Sequence, residues 1–146
     1  MAGAFAEGCR AGDVLGLEGT LGAGKTCFVK GLARGLGVPE DQAVTSPTFV
    51  LLRHYSGRLT LYHFDAYRLT GADEMEALGC AEVFEAGGVS VVEWADHVAA
   101  CLPPEHLWVK IFVRGSTERE FRLSAAGPKA AARIEELRRL LADWLC

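Results

Sequence analysis

Short apolar runs alternate along the chain with stretches whose apolar residues recur at helical spacing, which predicts an α/β fold. Residues 14–17 form an apolar run typical of a buried strand, and residues 26–36 follow with helical periodicity. The apolar positions of that predicted helix are Phe28, Val29, Leu32 and Leu36. Gly37 and Pro39 are expected to end the helix. The chain therefore places a glycine-rich loop between a strand and a helix.

The segment after this helix is predicted to be β rather than helical. Residues 48–55 are rich in β-forming side chains, residues 58–64 alternate between polar and apolar, and a turn is expected at residues 56–57. This pattern is typical of an antiparallel hairpin. Residues 73–78 and 81–86 then show two short helical patterns.

The second half of the chain predicts three more strands and a terminal helix. Residues 89–94 form an apolar run that contains an acid near its end, as in a buried parallel strand that delivers a carboxylate to its C-terminal edge. Residues 107–113 and 118–124 predict a second antiparallel pair at the sheet edge. Residues 128–145 predict a helix with an apolar stripe toward the core and Arg133 on its water-facing side.

Composition narrows the class of protein. The 146 residues are half hydrophobic, which suits one compact domain over residues 1–146, with a minor role for residues 1–11. The net charge of −4 argues against a large basic surface for nucleic acid. The five cysteines are scattered without a C-x-x-C pair, which predicts a reducing, cytoplasmic compartment. No apolar run reaches membrane-spanning length, so no membrane partner is expected.

Residues 19–26 match the phosphate-binding loop pattern G-x-x-x-x-G-K-[ST] at every fixed position. Glycines allow the loop to aim successive N–H groups at one anion, and the following helix adds its positive N-terminal end. Lys25 is expected to reach the β- and γ-phosphates, and the Thr26 hydroxyl is expected to ligate Mg²⁺. The predicted nucleotide-binding residues are Gly19, Leu21, Gly22, Ala23, Gly24, Lys25, Thr26, Cys27 and Trp94.

Glu93 is the predicted partner of Thr26 in a magnesium site, because it ends an apolar strand where the carboxyl edge of a parallel sheet is expected. The alternative is a strand-end carboxylate that merely faces solvent. Asp65, at the end of the second hairpin strand, is a second candidate that would orient water or bind the metal's hydration shell; a turn-capping aspartate is its alternative. Glu93 and Asp65 are both predicted catalytic residues.

Three further residues carry weaker signals. Thr48 follows a Ser-Pro turn and is predicted to sense the γ-phosphate and Mg²⁺, as switch loops do. Trp94 is expected near the nucleotide, although a strand-end Trp is also compatible with the core. Arg68 is compatible with stabilising transition-state charge or with a surface ion pair.

These motifs resemble, in their order and spacing, the bacterial TsaE family (formerly YjeE). They lie at residues 19–26, 46–49, 63–69, 78–79 and 92–94, and the resemblance runs from about Gly12 to about Pro103. The TsaE family is the ATPase of tRNA threonylcarbamoyladenosine biosynthesis. The resemblance implies a single P-loop NTPase domain with a mixed, mainly parallel central sheet flanked by helices.

The resemblance also implies cofactors and partners. It implies ATP and Mg²⁺, association with the TsaB and TsaD proteins, contact with tRNA through that complex, and hydrolysis that resets the complex. Lys25, Thr26 and Glu93 match the phosphate and metal positions, while Thr48, Asp65 and Trp94 match positions that the family needs for activity. We predict a low intrinsic ATPase rate that the partners raise. In arginine-finger systems, an arginine that is supplied to the site accelerates hydrolysis by roughly 10³–10⁵-fold.

The chain departs from the family at three places. Thr20 replaces a usual Asp, and Cys27 replaces a usual Ser or Thr that would contact the α-phosphate. Family members usually carry an extra strand and a fuller helix before the position of Gly12, and a longer natural N-terminus is one interpretation of that difference.

A small-metabolite kinase with the same loop is the alternative function. Such kinases usually place helices after the P-loop helix and carry an arginine-rich lid, whereas this chain predicts a hairpin there and has no arginine between Arg68 and Arg114. A nucleotide-binding switch with little turnover is a second alternative. The chain has no Asn-Lys-x-Asp motif for guanine, which favours ATP over GTP.

Overall fold

The computed structural model describes residues 2–42, 44 and 51–142. The helices are α1 (Ala2–Glu7), α2 (Lys25–Gly35), α3 (Ala72–Ala77), α4 (Cys80–Phe84) and α5 (Pro128–Leu140). The strands are β1 (Val14–Glu18), β2 (Leu52–Tyr55), β3 (Leu61–Asp65), β4 (Val89–Glu93), β5 (His106–Val113) and β6 (Arg119–Ala126). Two 3₁₀ turns, Ala95–His97 and Ala99–Cys101, follow β4.

The described strands form one mixed sheet in the order β2-β3-β4-β1-β5-β6. The four inner strands run parallel, and the two edge strands pair antiparallel with their neighbours. The prediction of an α/β domain with a mainly parallel sheet and a hairpin after the P-loop helix is therefore confirmed. The strand predicted over residues 48–55 is described only from Leu52, and residues 45–50 lie outside the described part.

Two apolar cores lie on opposite faces of the sheet. Helices α1, α2 and α5 cover one face, where Leu15, Leu17 and Val91 are buried. Helices α3 and α4 and the 3₁₀ turns cover the other face, where Phe64 and Val92 are buried. Neighbouring strand residues therefore point into different cores, as the period-2 alternation of a strand requires.

The N-terminal segment contributes more than its length predicts. Phe5 and Ala6 of α1 are fully buried, and the Phe5 ring packs edge-on against Phe28 of α2. The two helices approach closely at Gly35, where an added Cβ would lie 2.5 Å from the Ala6 Cβ. The expectation of a minor role for residues 1–11 is wrong, because a short helix can bury most of its surface when glycines line its partner.

Arg133 of α5 does not face water, contrary to the prediction from helical periodicity. Its side chain is only 13% exposed, and its guanidinium bonds the Asp13 carboxylate at 2.9 Å and the Glu136 carboxylate at 2.6 Å. It also donates to the Gly8 carbonyl. The helix packs beside the turn before β1, so a position that periodicity assigns to solvent is covered by another part of the chain.

No helix within residues 2–42, 44 and 51–142 is long and apolar enough to cross a membrane.

Candidate functional site

The ends of three inner strands define one edge of the sheet. Asp65 at the end of β3 lies in register with Glu93 at the end of β4, and Glu93 in turn lies in register with Leu17 of β1. The loop between β1 and α2 begins at this same edge, so the sheet topology brings residues 19–26 together with both predicted carboxylates. This is the edge at which ligands bind in open α/β sheets.

The loop has a backbone that only glycine adopts readily. Gly22 and Gly24 have φ of 80° and 108°, a region that L side chains disfavour. A Cβ added to either residue would meet nothing within 4 Å, so the space beside both residues is open. A cradle of this kind fits a phosphate group, whose oxygens accept hydrogen bonds from loop N–H groups.

Lys25 is buried with its ammonium at the loop. The residue is 5% exposed, and Nζ donates to the carbonyls of Gly19 at 2.7 Å and Thr20 at 2.9 Å. Nζ also lies 3.8 Å from the centre of the Trp94 ring. Burial lowers the pKa of Lys25, while the carboxylates of Glu93, Asp96 and Asp65 oppose that shift. A buried ammonium held by neutral groups is suited to gain a phosphate partner.

Thr26 and Glu93 supply oxygen ligands that converge. The Thr26 hydroxyl donates to Oε1 of Glu93 at 2.9 Å, and Glu93 is 2% exposed. The other carboxylate oxygen of Glu93 accepts from Nε2 of His63. Hydroxyl and carboxylate oxygens are ligands that Mg²⁺ prefers, so Thr26 at the start of α2 and Glu93 at the end of β4 fit that ion.

Asp65 and Trp94 form the wall next to Glu93. Asp65 is 4% exposed, and its Oδ1 accepts from the Tyr67 N–H at 2.9 Å. Trp94 has a positive φ of 58° immediately after β4, and its ring lies 5.0 Å from the Tyr67 ring. A left-handed backbone at a bulky residue costs free energy, and such strain concentrates at functional sites. Here that backbone turns the indole over Lys25.

A cleft of about 400 Å³ lies above the loop. Most of the predicted site residues line it: Leu21, Gly22, Gly24, Lys25, Thr26, Cys27, Asp65, Glu93 and Trp94. Gly19 and Ala23 are not among its lining residues. Gly19 instead accepts a hydrogen bond from Lys25, and Ala23 is buried beneath the loop. Thr48 lies outside the described residues, and Arg68 is exposed on the segment after β3.

His63 is a site residue to which the sequence patterns assign no role. It is fully buried, and its Nε2 contacts the carboxylate that Thr26 also contacts. Among the described residues, its Nδ1 has no hydrogen-bond partner. A signal was available, because His63 lies two residues before Asp65 on the same strand and therefore on the same face.

The fold and the loop between β1 and α2 define an α/β protein whose loop has the sequence pattern of a phosphate-binding loop. The family described as "Threonylcarbamoyl adenosine biosynthesis protein TsaE" matches residues 1–121. The chain belongs to the TsaE family.

Curated relatives and a solved structure agree with that assignment. The chain is 48% identical over 129 residues to the tRNA threonylcarbamoyladenosine biosynthesis protein TsaE of Bacillus subtilis, covering 88% of this chain and 79% of that protein. It is 47% identical over 113 residues to the protein of the same name from Treponema pallidum, covering 77% and 82%. The crystal structure of Bacillus subtilis YdiB matches with a TM-score of 0.80 and 41% identity, over 94% of this chain and 84% of that one.

Proposed function

We propose that this protein is a cytoplasmic, Mg²⁺-dependent ATPase subunit required for threonylcarbamoyladenosine modification of tRNA, and that it acts with TsaB and TsaD. The curated TsaE relatives are named for this biosynthesis, which supports the pathway. One observation carries the ATPase part of the proposal. Lys25, the Thr26–Glu93 pair and Asp65 all line one cleft above a loop shaped for phosphate.

Each side chain has a distinct part in the proposed reaction. Lys25 leaves its two carbonyl partners and holds the β- and γ-phosphates. Thr26 and Glu93 hold Mg²⁺, which supplies positive charge to the phosphate oxygens. Asp65 lies beside Glu93 in register and accepts a hydrogen bond from water next to the γ-phosphate. The Trp94 ring covers Lys25 and excludes bulk water from the ammonium.

Thr48 is included in the proposal as the threonine that senses the γ-phosphate. Only the resemblance to the family supports this role, because Thr48 is not among the described residues. Direct tRNA contact is not part of the proposal, which places tRNA in the assembled complex with TsaB and TsaD.

The proposed rate is low in the isolated protein and higher in the complex. Arg119 is an arginine whose contacts fix it beside the loop: it donates to the carbonyls of Ala23, Gly115 and Glu118, each at 3.0 Å. These contacts hold the Arg119 guanidinium on backbone carbonyls of the loop and of the β5–β6 turn. In arginine-finger systems, completion of the site by a partner raises the rate of hydrolysis by roughly 10³–10⁵-fold.

A small-metabolite kinase is the less favoured function. Such an enzyme needs a binding site for its acceptor beside the γ-phosphate, usually built from helices after the P-loop helix. The structure has the β2–β3 hairpin at that place in the chain, with β3 built into the sheet next to β4.

The test is ATP turnover by the purified protein, alone and with TsaB and TsaD from the same source, in the absence of any small-molecule acceptor. We expect turnover to rise when both partners are added. Lys25→Ala should lower ATP affinity by about 100-fold, since hydrogen bonds to charged groups are worth about 1.5–3 kcal/mol. An ATPase rate as high in the isolated protein as in the complex contradicts the partner-stimulated mechanism, and phosphorylation of an added metabolite would favour the kinase.

A further inference from the structure

Arg119, the first residue of β6, connects the turn between β5 and β6 to the loop between β1 and α2. Its Nε donates to the Ala23 carbonyl at 3.0 Å, although the two residues are 96 positions apart. Its Nη1 donates to the carbonyls of Gly115 and Glu118 in the turn, each at 3.0 Å. All three acceptors are backbone carbonyls, so this side chain acts on the backbone of both segments.

The bond to Ala23 sets the direction of the next N–H in the loop. The Ala23 carbonyl and the Gly24 N–H belong to one planar peptide group, and the described residues contain no cis peptide bond. In a trans peptide the C=O and N–H bonds point in opposite directions. Gly24 lines the cleft above the loop, whereas Arg119 is not among the residues that line it. Arg119 therefore holds the carbonyl from outside the cleft, which directs the Gly24 N–H toward the cleft.

The bond from Arg119 is the contact that orients this peptide group. Within the part of the chain that the structure describes, no backbone N–H donates to the Ala23 carbonyl, and the Gly24 N–H donates to no backbone carbonyl. The residues on either side of Ala23 are Gly22 and Gly24, with φ of 80° and 108°. Glycine has access to more backbone conformations than other residues, so a peptide group between two glycines needs an external contact to hold one orientation.

We propose that Arg119 is a positioning residue of the phosphate-binding loop: by holding the Ala23 carbonyl, it keeps the Gly24 N–H directed at a phosphate oxygen. This inference rests on the proposed function, since it assumes that phosphates occupy the loop. A donor that is oriented before the ligand arrives loses less conformational entropy on binding, so the loop binds phosphate more tightly. Arg119 has this effect through Ala23 and without touching the ligand.

Two other roles for Arg119 lead to different expectations. If Arg119 only stabilises the β5–β6 turn, its bonds to Gly115 and Glu118 matter and its bond to Ala23 does not. If its positive charge attracts the phosphates at a distance, any substitution that removes the charge weakens binding equally. Substitutions that keep or remove single donors distinguish these roles.

The test uses two side chains that match arginine up to the atom that contacts Ala23. In Arg119→Gln an amide nitrogen takes the place of Nε, while the charge and both bonds to the turn are lost. In Arg119→Met a methyl group takes that place and no donor remains. Affinities for ATP and for inorganic tripolyphosphate are measured by calorimetry. We expect Arg119→Met to weaken binding of both ligands by about tenfold, and Arg119→Gln to keep most of the parent's affinity.

Arg114→Met is the matched control for the loss of charge. Arg114 lies on the same turn, and its side chain pairs with Glu120 and not with the loop. We expect this variant to change either affinity by less than about twofold. The amide resonance of Gly24 in the ligand-free protein adds a direct readout of the peptide group. It should move in Arg119→Met and stay close to its parent position in Arg119→Gln and Arg114→Met.

Equal losses of affinity in Arg119→Gln and Arg119→Met would overturn the positioning role, because both variants lack the charge and the bonds to the turn. Unchanged affinity in Arg119→Met, or an unchanged Gly24 resonance in that variant, would overturn it as well. Arg119 is half-buried on an edge strand, so we expect both variants to fold, and urea unfolding checks this. Failure of the parent to bind either ligand would contradict the proposed function, and the Gly24 resonance would then still report whether Arg119 orients the loop.

Discussion

Two clusters of charged side chains lie at opposite ends of the inner strands, and they differ in how their charges are balanced. The amino-end cluster consists of Asp13, Arg133, Glu136 and Arg10, in which two arginines pair with two carboxylates. The carboxyl-end cluster consists of Lys25, His63, Asp65 and Glu93, all of them buried. It contains two carboxylates and one ammonium that donates to carbonyls.

The comparison distinguishes charged side chains that stabilise the fold from charged side chains that are placed to bind a ligand. In the amino-end cluster each charge has a partner in the chain, so the cluster holds α5 against the turn before β1. In the carboxyl-end cluster the carboxylates exceed the ammonium, and a cleft of about 400 Å³ adjoins them. A buried cluster with more carboxylates than ammonium groups beside a cleft is suited to bind a cation, and the Lys25 ammonium is suited to bind a phosphate.

Replacement of Glu93 should have the largest effect on function. Glu93→Gln keeps the shape of the side chain but removes the charge that would hold Mg²⁺. We expect Mg²⁺-dependent ATP turnover to fall by about 1,000-fold, an effect of the size seen when a preorganised charge-stabilising group is removed. ATP binding should survive, because Lys25 and the loop remain. Turnover equal to the parent's would show that another carboxylate holds the metal.

Replacement of Arg133 should affect stability instead. Arg133→Met removes the ion pairs to Asp13 and Glu136 and leaves a largely buried carboxylate without its guanidinium. We expect the free energy of unfolding in urea to fall by about 2 kcal/mol, somewhat less than for a fully buried pair. ATP affinity of the folded protein should not change.

Arg138→Met on the same helix is the control for this prediction. Arg138 is 53% exposed and lies 3.8 Å from Glu135, so the loss of its ion pair should cost about 0.5 kcal/mol or less. Loss of ATP affinity in Arg133→Met, measured well below its unfolding transition, would show that the two clusters are coupled.

Replacement of His63 tests whether activity depends on the hydrogen bond between His63 and Glu93, the proposed metal ligand. His63→Leu removes the donor to Glu93 and should lower Mg²⁺-dependent turnover by about 10–100-fold, as is usual when a group that orients a metal ligand is lost. His63→Gln places an amide N–H within similar reach and should restore part of that activity. ATP affinity measured without Mg²⁺ should be the same in both variants. An equal loss of turnover in His63→Leu and His63→Gln would show that His63 only packs against its neighbours and does not orient Glu93.

Cys27 should give the smallest effect, and in the opposite direction. Its side chain is exposed in the first turn of α2 and lines the cleft above the loop. Cys27→Thr adds a hydroxyl that can donate to the α-phosphate, for a gain of about threefold to tenfold in ATP affinity by calorimetry. Cys27→Ala, which adds no hydroxyl, should show no such gain.

Much of this architecture could be predicted because its signals are local. The strand at residues 14–17, the loop at 19–26 and the helix after it follow from apolar period and glycine placement, and all three are confirmed. The hairpin was predicted from alternation around a turn, and β2 and β3 pair as expected. Asp65 and Glu93 were each predicted at the end of a strand, and the structure places them in register at one edge of the sheet.

The predictions that failed concern surfaces buried by distant parts of the chain. Periodicity placed Arg133 in water, but Asp13 lies 120 positions earlier and covers it. The short length of residues 1–11 predicted a minor role for them, but α1 is buried against α2. The contact between His63 and Glu93 joins residues 30 positions apart, which no local pattern reports.

The sequence by itself determined most of the elements, the glycine-rich loop and the family, because backbone preference, glycine placement and motif spacing act over a few residues at a time. Only the tertiary structure decided which side chains meet. Sheet order set His63 against Glu93, and the packing of α5 set Arg133 against Asp13. The position of the β5–β6 turn set Arg119 against the Ala23 carbonyl of the loop. These contacts depend on long-range strand pairing and helix packing, which decide burial and charge balance only once the whole chain is folded.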